Sequence, residues 1–272
     1  MFYLDRVPTG IAGLDSLIEG GFPKGYNILV TGAPGTGKSI MGLQYIYNGA
    51  LNGENGLYIT IDSPRMQLIE QAGRFGWDFK KMEEEGKITF LSIPPNRARI
   101  DIFDMLEDKV AEANAKRLVF DNLALLTINA EQFAIPMAHN SKMDVIPNIT
   151  SKSSMLNTDT KDYEIALNAE FDNKGRAFYH GDSKRRIIYF VIHELGCLGT
   201  TNLIITFADP TTQSSMDKVS EFACDGVISL KSLAVGDTMN RTMEVKKMRT
   251  TVLDGGIRSY DFGNDGIILV GN

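Results

Sequence analysis

The chain has 272 residues, which at roughly 150 residues per domain suits one large domain or one domain carrying an insertion. With 43% hydrophobic and 23% charged residues, it has an ordinary globular composition, and the disordered and fibrous classes are excluded. Lys and Arg total 28 against 34 Asp and Glu, a net charge of −6. No basic run exceeds Lys184-Arg185-Arg186, so obligate coating of nucleic-acid phosphates is disfavoured.

The opening Met1-Phe2-Tyr3-Leu4-Asp5-Arg6 lacks the basic-then-apolar pattern of a secretory signal. No apolar stretch reaches the roughly 18–20 residues of a membrane span, so a cytoplasmic protein without membrane insertion is expected. Residues 26–31 read as a strand rich in β-formers. A glycine-rich turn follows, and then Ile40, Leu43, Ile46, Tyr47 and Ala50 recur at helical spacing. Leu57 to Ile61 is a second buried strand. Ser63-Pro64 is read as the start of a helix, with Ser63 as the cap and Pro64 at the first helical position; Leu68, Ile69, Ala72 and Phe75 form its apolar face.

Lys87 to Ser92 is a third strand, and Ile102, Phe103, Leu106, Val110 and Ala113 mark the next helix. Leu118-Val119-Phe120 is a fourth strand that stops at Asp121. This alternation is the grammar of a mostly parallel sheet covered by helices on both faces. Residues 129–184 break it: they are polar, without sustained period, and are expected to be an insertion or small subdomain, with a hairpin or short helix around Ile165 to Phe171. Ile187 to Cys197 resumes as a helix and Leu203 to Phe207 as a buried strand. The segments Val227–Leu230, Thr242–Met248, Ile257–Phe262 and Ile267–Val270 then read as an antiparallel edge.

Chemistry is announced by Gly32-Ala33-Pro34-Gly35-Thr36-Gly37-Lys38-Ser39, a match to the phosphate-binding loop G-x-x-x-x-G-K-[ST]. Glycines let main-chain N–H groups converge on phosphate oxygens, and the helix opening at Gly37 adds the positive end of its dipole. Lys38 would reach the β- and γ-phosphates of ATP, and the Ser39 hydroxyl would ligate Mg²⁺. The four fixed positions arise by chance on the order of 1% of the time in a chain of this size, and the flanking strand and helix lower that further. Asp121, at the end of an apolar strand, is the second acidic partner expected for Mg²⁺. Hydrolysis needs a carboxylate for the attacking water and an added positive charge. Asp62 is the candidate for the first, and Lys246-Lys247-Met248-Arg249 holds candidates for the second.

The remaining signals are bland. Cys197 and Cys224 read as reduced, buried, small hydrophobes, and Trp77 as a core residue. His139, His180 and His193 have no metal-ligand spacing. The loop from Ala208 to Lys218 follows a central strand where DNA or a neighbour could be met, but its mixed charge does not favour DNA.

Val7-Pro8-Thr9-Gly10-Ile11-Ala12-Gly13-Leu14-Asp15, the run Gly20 to Gly25, Gly76-Trp77-Asp78, Lys247-Met248-Arg249 and Asp265-Gly266-Ile267 together resemble the KaiC-like branch of the RecA-type ATPases. The likeness covers residues 5–128 and 185–271. It implies a RecA-type α/β fold in a single ATPase domain over 1–272, with the 129–184 insertion inside it. It further implies Mg-ATP held at the subunit boundary of a homo-oligomer, often a hexameric ring, with Lys247 and Arg249 reaching the neighbour's γ-phosphate in trans.

Relatives usually place two glutamates at the end of the second strand, the first being the catalytic base. Ile61-Asp62 stands there in this chain, so slow hydrolysis is expected. Glu221-Phe222 replaces the Ser-Thr phosphoacceptor pair of clock-type members, so a phosphorylation clock is not expected. The leading expectation is a weak ATPase whose nucleotide state controls self-assembly or binding to an unidentified protein partner. The rivals are a non-hydrolysing assembly factor of the archaeal motility-motor kind and a recombinase paralogue acting on single-stranded DNA.

Overall fold

The apolar runs become the centre of a nine-stranded sheet in a computed structural model of the chain, which describes residues 4–94, 102–128, 170–171, 177–178, 183–209, 215, 219–235, 238–254 and 256–270. In chain order, β1 (Arg6–Val7) pairs with β2 (Phe22–Pro23) around α1 (Leu14–Leu17), and β3 (Asn27–Gly32) leads to α2 (Lys38–Leu51). Next come β4 (Gly56–Thr60), α3 (Arg65–Gly73), α4 (Phe79–Glu84), β5 (Ile88–Ser92), α5 (Ile102–Glu112), β6 (Arg117–Asp121) and α6 (Leu123–Ile128). A short pair, β7 (Glu170–Phe171) with β8 (Ala177–Phe178), precedes α7 (Ser183–Cys197), β9 (Thr201–Phe207) and α8 (Val219–Ala223). The chain closes with β10 (Gly226–Val235), β11 (Thr238–Met248), β12 (Ile257–Gly263) and β13 (Gly266–Val270).

Strand order in the large sheet is β13-β12-β11-β10-β3-β9-β6-β4-β5. Every pairing from β10 to β5 is parallel, and β10 to β13 pair antiparallel, the RecA-type arrangement with its C-terminal edge as expected. Strand β3 lies between β10 and β9, so its side chains are buried on both faces and alternate between two cores. Ile28 and Val30 join Met41, Leu43 and Ile46 of α2, whereas Leu29 joins Ile204, Leu118 and Leu195 on the opposite face. Each fully buried Leu or Ile contributes about 1.5–3 kcal/mol relative to exposure, so the α2 core fixes where the first turn of that helix stands.

Several local readings are corrected. Pro64 is not the first helical residue but the cap itself (φ −59°, ψ 137°), and the Ser63 N–H is taken up by Thr60 Oγ1 in a turn. Helix α7 begins at Ser183, a turn before the expected Ile187. Helices α1, α4, α6 and α8 are too short for a periodic signal; α4 is marked only by its cap, Asp78, which accepts from Lys81 N–H. Cys224 is buried as expected, but Cys197 is exposed and lies 3.7 Å from His193 Nε2. Trp77 is a core residue, 6% exposed. The expected hairpin or helix at 165–171 is described only through the β7–β8 pair, and residues 129–169, His139 and His180 lie outside the described residues. Most of the 208–218 loop does too. Among the described residues, no helix is long and apolar enough to cross a membrane.

Candidate functional site

The glycine-rich loop joins β3 to α2 at the C-terminal end of the parallel strands, where Gly32 sits level with Leu230 and Phe207 on the neighbouring strands. Ala33, Pro34 and Gly35 are exposed, and Thr36 is buried beneath them. Thr36 N–H and its hydroxyl both turn back to Ala33 O, at 3.4 and 2.8 Å, which closes the loop on itself. Tyr260 of β12 donates to Thr36 O at 2.6 Å and braces the loop from the antiparallel edge. Gln44 of α2 binds Ile267 through both its N–H and its oxygen and reaches Gly10 O, so the glycine motif at the N-terminus wraps the same helix.

Gly37 has φ +88°, and a Cβ there would lie 2.6 Å from Phe262 Cζ. The conformation and the space both require glycine. Among the described residues, the N–H groups of Gly35, Gly37, Lys38 and Ser39 donate to no protein acceptor. They form an array of free donors at a helix N-terminus, the chemistry that accommodates a phosphate chain.

Lys38 is 7% exposed, and its ammonium donates to Gly32 O and Ala33 O, each at 2.9 Å. Burial lowers its pKa, and the charges of Asp121 and Asp62 oppose that shift. Ser39 Oγ donates to Asp121 Oδ2 at 2.7 Å, so the serine and the carboxylate expected to share Mg²⁺ are in direct contact. Asp121 is 3% exposed; burial raises its pKa, while hydrogen bonds from Ser39 and Tyr58 oppose it. A hydroxyl and a carboxylate side by side at the foot of a phosphate cradle are the hard oxygen donors that Mg²⁺ takes.

The strand-end position is resolved in space. Ile61 is buried in the core on the far side of the sheet from α2. Asp62 is exposed, and its charge acts on Lys38, Asp121 and Tyr58. Asp62 is therefore the carboxylate at that strand end whose charge is felt at Lys38 and Asp121.

Lys247 and Arg249 are not brought to this loop. Met248 pairs with Gly226, which lies level with Ile28 near the start of β3, whereas the loop begins after Gly32. The separation along β3 is roughly 15 Å at 3.3 Å per residue, beyond the reach of either side chain. Lys247 Nζ instead donates to the carbonyls of Glu221 and Phe222 in α8 and of Cys224 just beyond it, and Arg249 Nη1 to Asp225 Oδ1 at 2.9 Å.

Tyr58, Tyr260 and Gln44 escaped the sequence reading. Tyr58 carried one faint signal, a phenolic hydroxyl inside a wholly buried strand, which needs a partner. For the other two, the partner lies on a distant segment and leaves no local trace.

Comparison with known proteins agrees with this geometry. The profile of the KaiC family of ATPases matches residues 7–139 and 179–272. A circadian clock oscillator protein KaiC from Prochlorococcus marinus is 29% identical over 273 residues, covering 98% of this chain and 45% of that protein. The chain thus spans about half the length of that curated relative. A UPF0273 protein from Methanocaldococcus jannaschii is 25% identical over 98% of this chain and 96% of its own length. Among solved structures, a KaiC-like protein from Pyrococcus horikoshii superposes with a TM-score of 0.69 at 27% identity, covering 99% of this chain and 100% of that one.

Proposed function

We propose that this chain, which belongs to the KaiC family of ATPases, binds Mg-ATP at residues 32–39 and hydrolyses it slowly in a site shared between two copies. The single observation that carries the reading is the Ser39–Asp121 contact at 2.7 Å beneath the unpaired N–H groups of Gly35, Gly37, Lys38 and Ser39. Phosphate oxygens would accept from the N–H groups of Gly35, Gly37, Lys38 and Ser39. Lys38 would exchange the carbonyls of Gly32 and Ala33 for the β- and γ-phosphates. Ser39 and Asp121 would hold Mg²⁺, directly and through its water shell. When bound, Mg²⁺ supplies charge that screens the triphosphate and orients it for in-line attack.

Asp62 would orient and deprotonate the attacking water. It is a methylene shorter than glutamate and solvent-exposed, which supports slow turnover. Lys247 and Arg249 stand at the opposite rim of their own sheet, which supports a role for this segment at a neighbouring copy's nucleotide and a coupling of hydrolysis to assembly.

Two measurements test this reading: phosphate release in steady state, and particle mass with and without Mg-ATP. Slow release that vanishes in Lys38→Ala, together with a larger particle in Mg-ATP, is the expected result. Calorimetry showing no heat of nucleotide binding on folded protein would refute it.

A further inference from the structure

Asp225, between α8 and β10, uses each of its polar atoms in a separate hydrogen bond. Its N–H donates to Asn27 O at 2.9 Å, and its Oδ2 accepts from Asn27 N–H at 3.0 Å. Its own carbonyl accepts from Arg249 N–H at 2.9 Å, and its Oδ1 accepts from Arg249 Nη1 at 2.9 Å. One residue thus clamps the first residue of β3 on one side and both the backbone and guanidinium of Arg249 on the other.

The anchor is itself rigid. Asn27 is 6% exposed; its Nδ2 donates to Ile192 O at 2.9 Å, and its Oδ1 accepts from Asn202 Nδ2 at 2.8 Å. The Arg249 side chain is 52% exposed, and among the described residues its Nε and Nη2 have no partner. Lys247 presents the opposite case: its ammonium is spent on three carbonyls of its own chain, at 3.3, 3.0 and 2.6 Å. Of the two cations, Arg249 is the one whose donors are both fixed in direction and free.

We propose that Asp225 is the positioning residue of the shared site, holding Arg249 by one nitrogen so that the rest of the guanidinium faces the phosphates held by the neighbouring copy. This rests on the trans reading above and deepens it. A long arginine left to itself samples many rotamers. A carboxylate fixed to β3 removes that freedom before the neighbour arrives, and preorganisation of this kind acts on turnover more than on nucleotide binding.

The test is complementation between variants of the full chain, read by phosphate release and by the Mg-ATP-dependent particle mass. Asp225→Asn alone is expected to lower release by about ten- to a hundredfold while leaving the KM for ATP nearly unchanged. Mixed with Lys38→Ala, which keeps its finger but not its phosphate grip, Asp225→Asn should recover activity. Mixed with Arg249→Ala, which has the same missing function, it should not. Wild-type activity of Asp225→Asn, recovery with both partners, or recovery with neither overturns the proposal. If Asp225→Asn fails to fold, as judged by thermal melting, Asp225→Glu goes through the same mixing, because it keeps the charge but displaces it by a methylene.

The control pair, Lys38→Ala with Arg249→Ala, separates the two levels. Recovery there, without the Asp225 pattern, removes only this inference. No recovery there, or a wild-type chain that neither releases phosphate nor assembles, removes the shared site as well.

Discussion

The Tyr58 hydroxyl donates at 2.8 Å to Asp121 Oδ2, the same oxygen that accepts from Ser39 at 2.7 Å. Tyr58 is completely buried, and its pKa is held well above the ordinary value by burial and by the Asp121 charge, so it stays a phenol and a donor. Tyr58→Phe takes away one of two donors from a buried carboxylate. Stability is expected to fall by about 1.5–3 kcal/mol, seen in thermal melting. The Mg²⁺ concentration needed for half-maximal ATP binding should rise several-fold. An unchanged Mg²⁺ requirement would make Tyr58 a packing residue only.

Gly35 and Gly37 both have positive φ, +80° and +88°, but only Gly37 is crowded, by Phe262. Gly35→Ala is therefore expected to cost about 1–2 kcal/mol of backbone strain and leave ATP binding detectable. Gly37→Ala adds a steric clash at the first turn of α2 and should abolish binding in calorimetry. Equal affinities for the two variants would contradict the role given to Phe262.

Asp62 is exposed and makes its one described hydrogen bond with Ser63 Oγ, at 3.1 Å. Asp62→Asn should accordingly fold normally and bind ATP with wild-type affinity, yet lose about a hundredfold in phosphate release, the scale of a general base. Ile61→Glu is the informative companion. That side chain enters a core, so the variant is expected to be strongly destabilised rather than activated. Faster turnover in a stable Ile61→Glu protein would show that position 61, not 62, faces the nucleotide.

Arg117 tests stability away from the site. It is 1% exposed, donates from Nε to Glu54 at 2.6 Å and from Nη1 to Tyr45 O at 2.9 Å, and stacks on the Tyr45 ring at 4.7 Å. It ties β6 to the C-terminal half of α2. Arg117→Ala leaves a cavity and takes the partner from the Glu54 carboxylate, a loss of about 3–5 kcal/mol, or roughly 6–20 °C in melting temperature. ATP affinity of the folded protein should not change, and a small shift in melting temperature would show the pair to be dispensable.

The parts legible in the sequence share one property: their chemistry is contiguous. A phosphate cradle needs successive main-chain amides, so Gly32 to Ser39 could be read directly, and the buried strands 57–61, 118–120 and 203–207 were visible because parallel strands covered on both faces are predominantly apolar. Asp121 was legible as the polar end of such a run. Short elements left no such trace: α8 spans five residues, fewer than two helical turns, and its role as the acceptor for Lys247 emerges only in space. The exposure of Cys197, in an apolar-looking helix, was decided by which face of α7 meets the sheet.

What the amino-acid order alone established is the phosphate-loop motif and the alternating strands and helices that carry it, because both follow from neighbouring residues and short periods. Strand order and register decided the rest. They set Tyr58 against Asp121 across 63 residues, buried Ile61 while leaving Asp62 exposed, and put Lys247 and Arg249 at the rim opposite their own loop. Those outcomes come from free energies of burial and pairing summed over segments far apart in the chain, and no local pattern encodes them.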